Sequence, residues 1–127
     1  MAKSGQDSEK QAGQHQKMQL LQERIEKIKT DFVCSFPGRI GEFDALMDDL
    51  YGLDAEPKEV IRQIAFLAHK LHGLAGSFGF DHIGEIASKL ELSALSYADG
   101  EADADIENVE TQIIALMDEI HANREAA

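Results

Sequence analysis

Helical periodicity constrains the fold of this chain more than any other feature. Apolar residues recur at every third or fourth position through most of the sequence. No segment shows the convincing apolar and polar alternation that a half-buried strand requires. The periodic segments predict helices over residues 17–35, 38–51, 57–76, 82–98 and 104–123. The short connections favour antiparallel packing of neighbouring helices.

Proline, glycine and aspartate residues mark the expected helix ends. Pro37 is placed as the break after the first helix, and Gly52 as the stop of the second. Pro57 has the sequence context of a first-turn proline that opens the third helix. Asp81 is predicted as the N-cap of the fourth helix, and Gly100 as the residue past its end.

The chain length of 127 residues suits one small domain. Residues 1–16 are polar and are predicted to form a disordered tail. The helical bundle is expected over 17–124, with a short C-terminal tail at 125–127. Cys34 is the only cysteine and lies in an apolar run, so it is predicted to be a packed thiol in a reducing compartment.

The formal net charge of −12 excludes the basic surface that binding to nucleic acid requires. No stretch approaches the roughly 18 apolar residues of a membrane span, and no apolar segment typical of a secretory signal follows Met1. A cytoplasmic protein without a membrane partner is therefore expected.

The third predicted helix carries an unusual outward face. On a helical wheel of about 100° per residue, its core stripe is predicted to be Val60, Ile64, Leu67, Leu71, Leu74 and Ala75. His69 lies about 160° from the centre of that stripe and is expected to face solvent. The predicted neighbours of His69 on this outer face are Arg62, Ala65, Phe66, Gly73 and Gly76.

Small residues around an exposed histidine indicate a surface that another protein must approach. A glycine inside a helix costs roughly 1 kcal/mol relative to alanine, so Gly73 and Gly76 require a reason. Clearance beside His69 is one such reason, and an exposed Phe66 is a typical interface anchor. A neutral imidazole nitrogen is a good nucleophile toward phosphorus. Lys70 and His72 are the candidates for screening phosphoryl charge.

Other interpretations of these residues stay open at this point. An ordinary surface histidine beside capping glycines gives the same pattern. His69 and His72 have a spacing that can chelate a metal, and His82 follows after the turn, but no cysteine cluster accompanies them. No metal site is therefore predicted. His82 and His121 are expected to be surface residues.

The segment from His69 to Gly79 resembles the histidine-containing phosphotransfer (HPt) family. The matching residues are His69, Lys70, Leu71, His72 and Gly73, followed by Leu74-Ala75-Gly76-Ser77 and Phe78-Gly79. Ile83 and Lys89-Leu90-Glu91 resemble the next helix of that family. One position departs from the pattern, because His72 stands where the family usually has lysine. Histidine is only fractionally charged near neutral pH.

The resemblance implies an all-α fold, an up-down antiparallel four-helix bundle with an additional N-terminal helix. It implies that His69 accepts a phosphoryl group from the aspartyl-phosphate of a receiver domain and passes it to another receiver. Gly73 would supply clearance, and Lys70 would assist the phosphoryl group. The implied partners are response-regulator receiver domains and a hybrid sensor kinase, with the Mg²⁺ on the receiver and no cofactor in this chain.

The expected protein is a phosphocarrier rather than an enzyme, since no ATP-binding domain fits beside the bundle. The alternative is an interaction module that binds a receiver or kinase without becoming phosphorylated. A monomer is favoured, although the apolar stripe of the first helix fits packing within the bundle or against a second copy.

Overall fold

The computed structural model describes residues 2–54, 56–101 and 103–126, with side chains over 12–54, 56–101 and 103–123. The described residues form helices and connecting turns, without a strand, which confirms the all-α prediction. The five helices are α1 (Ala2–Cys34), α2 (Phe36–Leu50), α3 (Pro57–Ser77), α4 (Asp81–Ala98) and α5 (Ile106–Ala126).

Helices α2 to α5 form an antiparallel four-helix bundle. Each of these helices packs on two others, in the pairs α2–α3, α3–α4, α4–α5 and α2–α5. Tyr51, after the end of α2, donates a hydrogen bond to Glu110 in the first half of α5. Arg62, near the start of α3, donates to the carbonyl oxygen of Ala98 at the end of α4. These contacts join opposite helix ends, as the predicted up-down topology requires. Helix α1 is a compact unit of its own.

Apolar side chains from all four bundle helices fill the core. A buried apolar group stabilises a fold by roughly 25 cal/mol per Å² removed from water. The ring of Phe36 is fully buried and packs edge-on against Phe80, with ring centroids 5.9 Å apart. The largest fully buried side chains of the described bundle are Phe36, Phe43, Ile61, Ile64, Leu71, Ile83, Leu90, Val109, Ile113, Leu116 and Ile120.

The first two helices begin earlier than the sequence predicted. Helix α1 begins at Ala2 rather than near residue 17, so the polar segment predicted as disordered is helical from residue 2. Its glutamines, lysines and alanines favour helix, and no proline interrupts it. Helix α2 begins at Phe36 rather than 38, because Pro37 occupies the first turn, where its missing N–H costs nothing. Met1 and Ala127 lie outside the described residues.

Two local predictions were wrong and two were confirmed. Asp81 is the first residue of α4 rather than its N-cap, which is Phe80. The thiol of Cys34 is exposed rather than packed, because Cys34 is off the buried side of its helix. Pro57 opens α3 as predicted. Gly100 follows the end of α4 with a φ of 75°, a left-handed conformation that glycine adopts without strain.

Candidate functional site

The buried face of α3 is rotated relative to the prediction. Its buried residues are Val60, Ile61, Ile64, Ala65, Ala68, Leu71 and Ala75. Their centre lies roughly 50° around the helix from the predicted stripe, and Leu67 and Leu74 are only half-buried. Ala65, predicted on the outer face, is 3% exposed and belongs to the core. The wheel was wrong here because small residues at the α3–α4 contact carry little hydrophobic weight in the sequence.

The rotation brings His69 to the edge of α3 that faces α4. The His69 side chain remains 68% exposed, as predicted, while the side chain of Glu91 opposite it is only 22% exposed. The two carboxylate oxygens of Glu91 lie 2.9 and 3.1 Å from His69 Nδ1. A carboxylate only accepts hydrogen bonds, so Nδ1 carries the proton. The unprotonated nitrogen of the neutral ring is then Nε2.

Gly73 and Gly76 lie one and two turns after His69 on an open surface. A Cβ atom built on either residue meets no other atom within 4 Å. Packing within the chain therefore does not require glycine at these positions. Gly84 on α4 differs, because its added Cβ would contact Ala75, Gly76 and His72 at 3.7 Å. The two open glycines keep the surface beyond His69 free of side chains.

His72 is held by the backbone of α4. Its Nδ1 donates a hydrogen bond of 2.9 Å to the carbonyl oxygen of Gly84. This contact fixes the ring at the α3–α4 boundary and gives Nδ1 the proton, because a carbonyl oxygen can only accept. The predicted screening group is thus also a link between two helices.

The other predicted site residues near His69 fall into two places. Lys70 and Phe66 contact each other, and Arg62 contacts the end of α4. The Lys70 ammonium lies 5.2 Å from the ring centroid of Phe66, a cation–π distance. The Phe66 ring is 62% exposed. The guanidinium of Arg62 donates to the Ala98 carbonyl oxygen at 3.4 Å. Lys70 and Phe66 therefore form one patch beside His69, and Arg62 is engaged at the far end of α4.

Glu91 is the site residue that sequence reasoning missed. The sequence placed it in the Leu-Glu pair of the next helix but gave it no role. His69 and Glu91 are 22 residues apart and lie on different helices. Their pairing can be predicted only when the rotation of α3 and of α4 about their own axes is known. One sequence feature pointed to a role for Glu91, namely its position directly after the buried Leu90. A carboxylate at the edge of the buried face of a helix needs a polar partner.

The arrangement suits nucleophilic chemistry at an exposed nitrogen. Among the described residues, no group of three or more His, Cys, Asp or Glu side chains could hold a metal ion. Nor does the described part of the chain include a helix with the length and apolarity needed to cross a bilayer. His82 and His121 are exposed, as predicted. His69 and His72 are both exposed and both have a fixed Nδ1 proton. His69 differs in that its Nδ1 is held by a carboxylate, which can balance a positive charge on the ring.

Comparison with known proteins gives one match. The family model described as Hpt domain matches residues 18–123, which is most of the chain. No curated protein and no solved structure matches. The matched range contains His69, Glu91 and both open glycines.

Proposed function

The chain belongs to the Hpt domain family, and we propose that it is a phosphocarrier in a two-component phosphorelay. In this proposal His69 accepts a phosphoryl group from the aspartyl-phosphate of one receiver domain and passes it to another. The observation that carries the proposal is the bond from His69 Nδ1 to Glu91, which leaves Nε2 unprotonated on a 68% exposed side chain.

The transfer step needs one nucleophile and one leaving group. The Nε2 lone pair of His69 attacks the phosphorus in line with the aspartyl oxygen. A nitrogen–phosphorus bond forms, the phosphorus–oxygen bond breaks, and the aspartate leaves as a carboxylate with the electron pair. The Nδ1 proton stays on the ring, which now carries positive charge. The reverse reaction at a second receiver returns the ring to its neutral form.

Glu91 stabilises the charge that the ring gains. Its carboxylate lies 2.9 Å from Nδ1, on the side of the imidazole away from the incoming phosphorus. The ring is neutral before the attack and positive after it, so the interaction strengthens as the reaction proceeds. Glu91 acts through His69 and is a positioning residue.

The open surface after His69 fits the approach of a folded receiver. In-line attack requires the aspartyl-phosphate to come within bonding distance of Nε2. A side chain at position 73 or 76 would stand in that approach, and nothing within the chain uses the space. Phe66, 62% exposed beside this surface, offers apolar contact to the same partner. We place Gly73, Gly76 and Phe66 on the partner face, with Arg62, two turns before His69 and bonded to Ala98, at its edge.

Screening of the phosphoryl group is assigned to His72 and, at longer range, Lys70. His72 is fixed by Gly84 at the α3–α4 boundary, so a protonated Nε2 would present a second N–H to the phosphoryl oxygens. Lys70 lies over Phe66 and reaches the phosphoryl group only by leaving that ring. The Mg²⁺ of the reaction is assigned to the acidic pocket of the receiver, and the chain itself needs no cofactor.

Transfer from an isolated receiver tests the proposal. A receiver domain carrying labelled aspartyl-phosphate is mixed with the intact chain or with single variants. His69→Gln is expected to abolish the acid-labile label while keeping the helical circular dichroism spectrum. His121→Gln changes another exposed histidine, on α5, and is the matched control, which is expected to label normally. Labelling of His69→Gln at the wild-type rate rejects the proposal.

The second candidate is an interaction module that occupies a receiver without accepting phosphate. The open glycines and Phe66 serve this function equally well, because docking alone uses them. The same experiment separates the two candidates. A chain that binds the receiver but carries no label after exposure to several receivers supports the module and contradicts the phosphocarrier.

A further inference from the structure

Helix α1 carries an apolar stripe that a single copy of the chain leaves exposed. The stripe consists of Met18, Leu21, Ile25 and Ile28, whose exposed fractions are 62, 58, 40 and 47%. The next residue in the series, Phe32, is 5% exposed and is not available. Exposed large apolar side chains in a continuous row mark an interaction surface. We propose that α1 pairs with α1 of a second copy as an antiparallel coiled coil.

The spacing of the stripe fits packing against one partner helix. The intervals from Met18 to Ile28 are three, four and three residues, and four more lead to Phe32. This alternation averages 3.5 residues and keeps a narrow seam facing one partner helix. The residues between the seam positions are mostly polar or charged, so the rest of α1 suits water. A second copy provides a helix with a matching seam.

Charge selects the antiparallel orientation. In a parallel pair, Arg24 of each copy would face Lys29 of the other, which gives two repulsive contacts. In an antiparallel pair, Met18 packs level with Ile28 of the other copy, and Leu21 with Ile25. Lys17 then faces Asp31 of the other copy twice, while a single repulsive contact joins the two Arg24 side chains. The balance favours the antiparallel pair.

The charge of the bundle adds to this preference. Residues 35–127 carry nineteen Asp and Glu against six Lys and Arg, whereas residues 1–34 carry five against six. The acidic bundle follows the C-terminal end of α1 in each copy. Antiparallel pairing puts the C-terminal ends of the two α1 helices, from which the acidic residues 35–127 continue, at opposite ends of the coiled coil, whereas parallel pairing brings these two ends together.

Leu20 and Leu21 offer a matched pair of variants. Their exposed fractions are 59 and 58%, and they are chain neighbours. Leu20 lies about 120° around the helix from the centre of the stripe, so only Leu21 is on the seam. Sedimentation of the intact chain over about a hundredfold range of concentration is expected to show a reversible dimer. Leu21→Gln is expected to raise the dimer dissociation constant at least tenfold, and Leu20→Gln to leave it unchanged.

Cysteine cross-linking tests the orientation. In a Cys34→Ser background, Lys17→Cys combined with Asp31→Cys is expected to form a disulfide between copies on mild oxidation. Each single cysteine variant is the control and is expected to cross-link far less. A chain that stays monomeric throughout the concentration range overturns the proposal, as do equal effects of Leu20→Gln and Leu21→Gln. A dimer in which the double variant cross-links no better than either single variant overturns the antiparallel arrangement. None of these results depends on phosphorylation of His69.

Discussion

Replacement of Glu91 by alanine is the sharpest perturbation of the proposed site. Glu91→Ala removes the acceptor of the Nδ1 proton and leaves the position of His69 on α3 unchanged. Both ring tautomers then become available to His69, and only one of them leaves Nε2 unprotonated. The developing positive charge on the ring also loses its nearest anion. Both effects slow phosphoryl transfer.

The size of the effect follows from exposure. A hydrogen bond between charged groups contributes about 1.5–3 kcal/mol when it is buried, whereas exposed ion pairs contribute about 0.2–1 kcal/mol. The side chain of His69 is 68% exposed and that of Glu91 is 22% exposed. The energy of this pair is therefore expected between the two ranges, closer to that of exposed ion pairs. We expect about 1 kcal/mol, which corresponds to a roughly fivefold slower transfer.

The assay is single-turnover transfer from a labelled receiver, with rates measured at saturating receiver to separate chemistry from docking. Glu85→Ala is the matched control, because it removes one carboxylate from the same helix, where Glu85 is 59% exposed and pairs with Lys89. Glu91→Gln is expected to recover part of the rate, since its amide oxygen accepts the Nδ1 proton without the charge. A wild-type transfer rate in Glu91→Ala, or an equal loss in Glu85→Ala, would refute the reasoning.

Three further predictions concern clearance, packing and pH. Gly73→Gln is expected to stabilise the bundle by about 0.5 kcal/mol through helix propensity, yet to slow transfer at least tenfold. Chemical denaturation and transfer rates check this together, and an undiminished rate contradicts the clearance role. Phe36→Ala is expected to lower the free energy of unfolding by about 3–5 kcal/mol, because it empties a fully buried site against Phe80. A denaturation curve with a loss below about 1 kcal/mol contradicts this packing. The hydrogen bond to Glu110 raises the pKa of Tyr51 from its ordinary value. A raised folded-state pKa means that this contact contributes stability below pH 10 and loses it as pH rises through the raised value. The melting difference between wild type and Tyr51→Phe is therefore expected to vanish in strong alkali, and a constant difference contradicts the assignment.

The order and type of the bundle helices could be predicted because they depend on local signals. Apolar spacing of three and four residues, Pro57 at a helix start and Gly100 after a helix end each have a physical meaning within a few residues. The exposure of His69 was predicted for the same reason. It lies far enough from the core stripe that an error of roughly 50° in the rotation of α3 leaves it accessible.

The remaining features depend on how helices pack against each other. Ala65 is 3% exposed because other helices cover it, which hydrophobicity along α3 alone does not reveal. The pairing of His69 with Glu91 depends on the rotation of two helices at once. The start of α1 at Ala2 depends on the balance of helix propensity over a polar segment, where apolar periodicity gives no signal.

The position of the phosphorus on the imidazole ring tests the central claim most directly. The intact chain, labelled with ¹⁵N in its histidines and phosphorylated by a receiver, gives a phosphorus–nitrogen coupling in NMR spectra that identifies the modified nitrogen. We predict that the phosphorus is bonded to Nε2 of His69, with the proton retained on Nδ1 beside Glu91. Phosphorus on Nδ1 of His69, or on any other histidine, would contradict it.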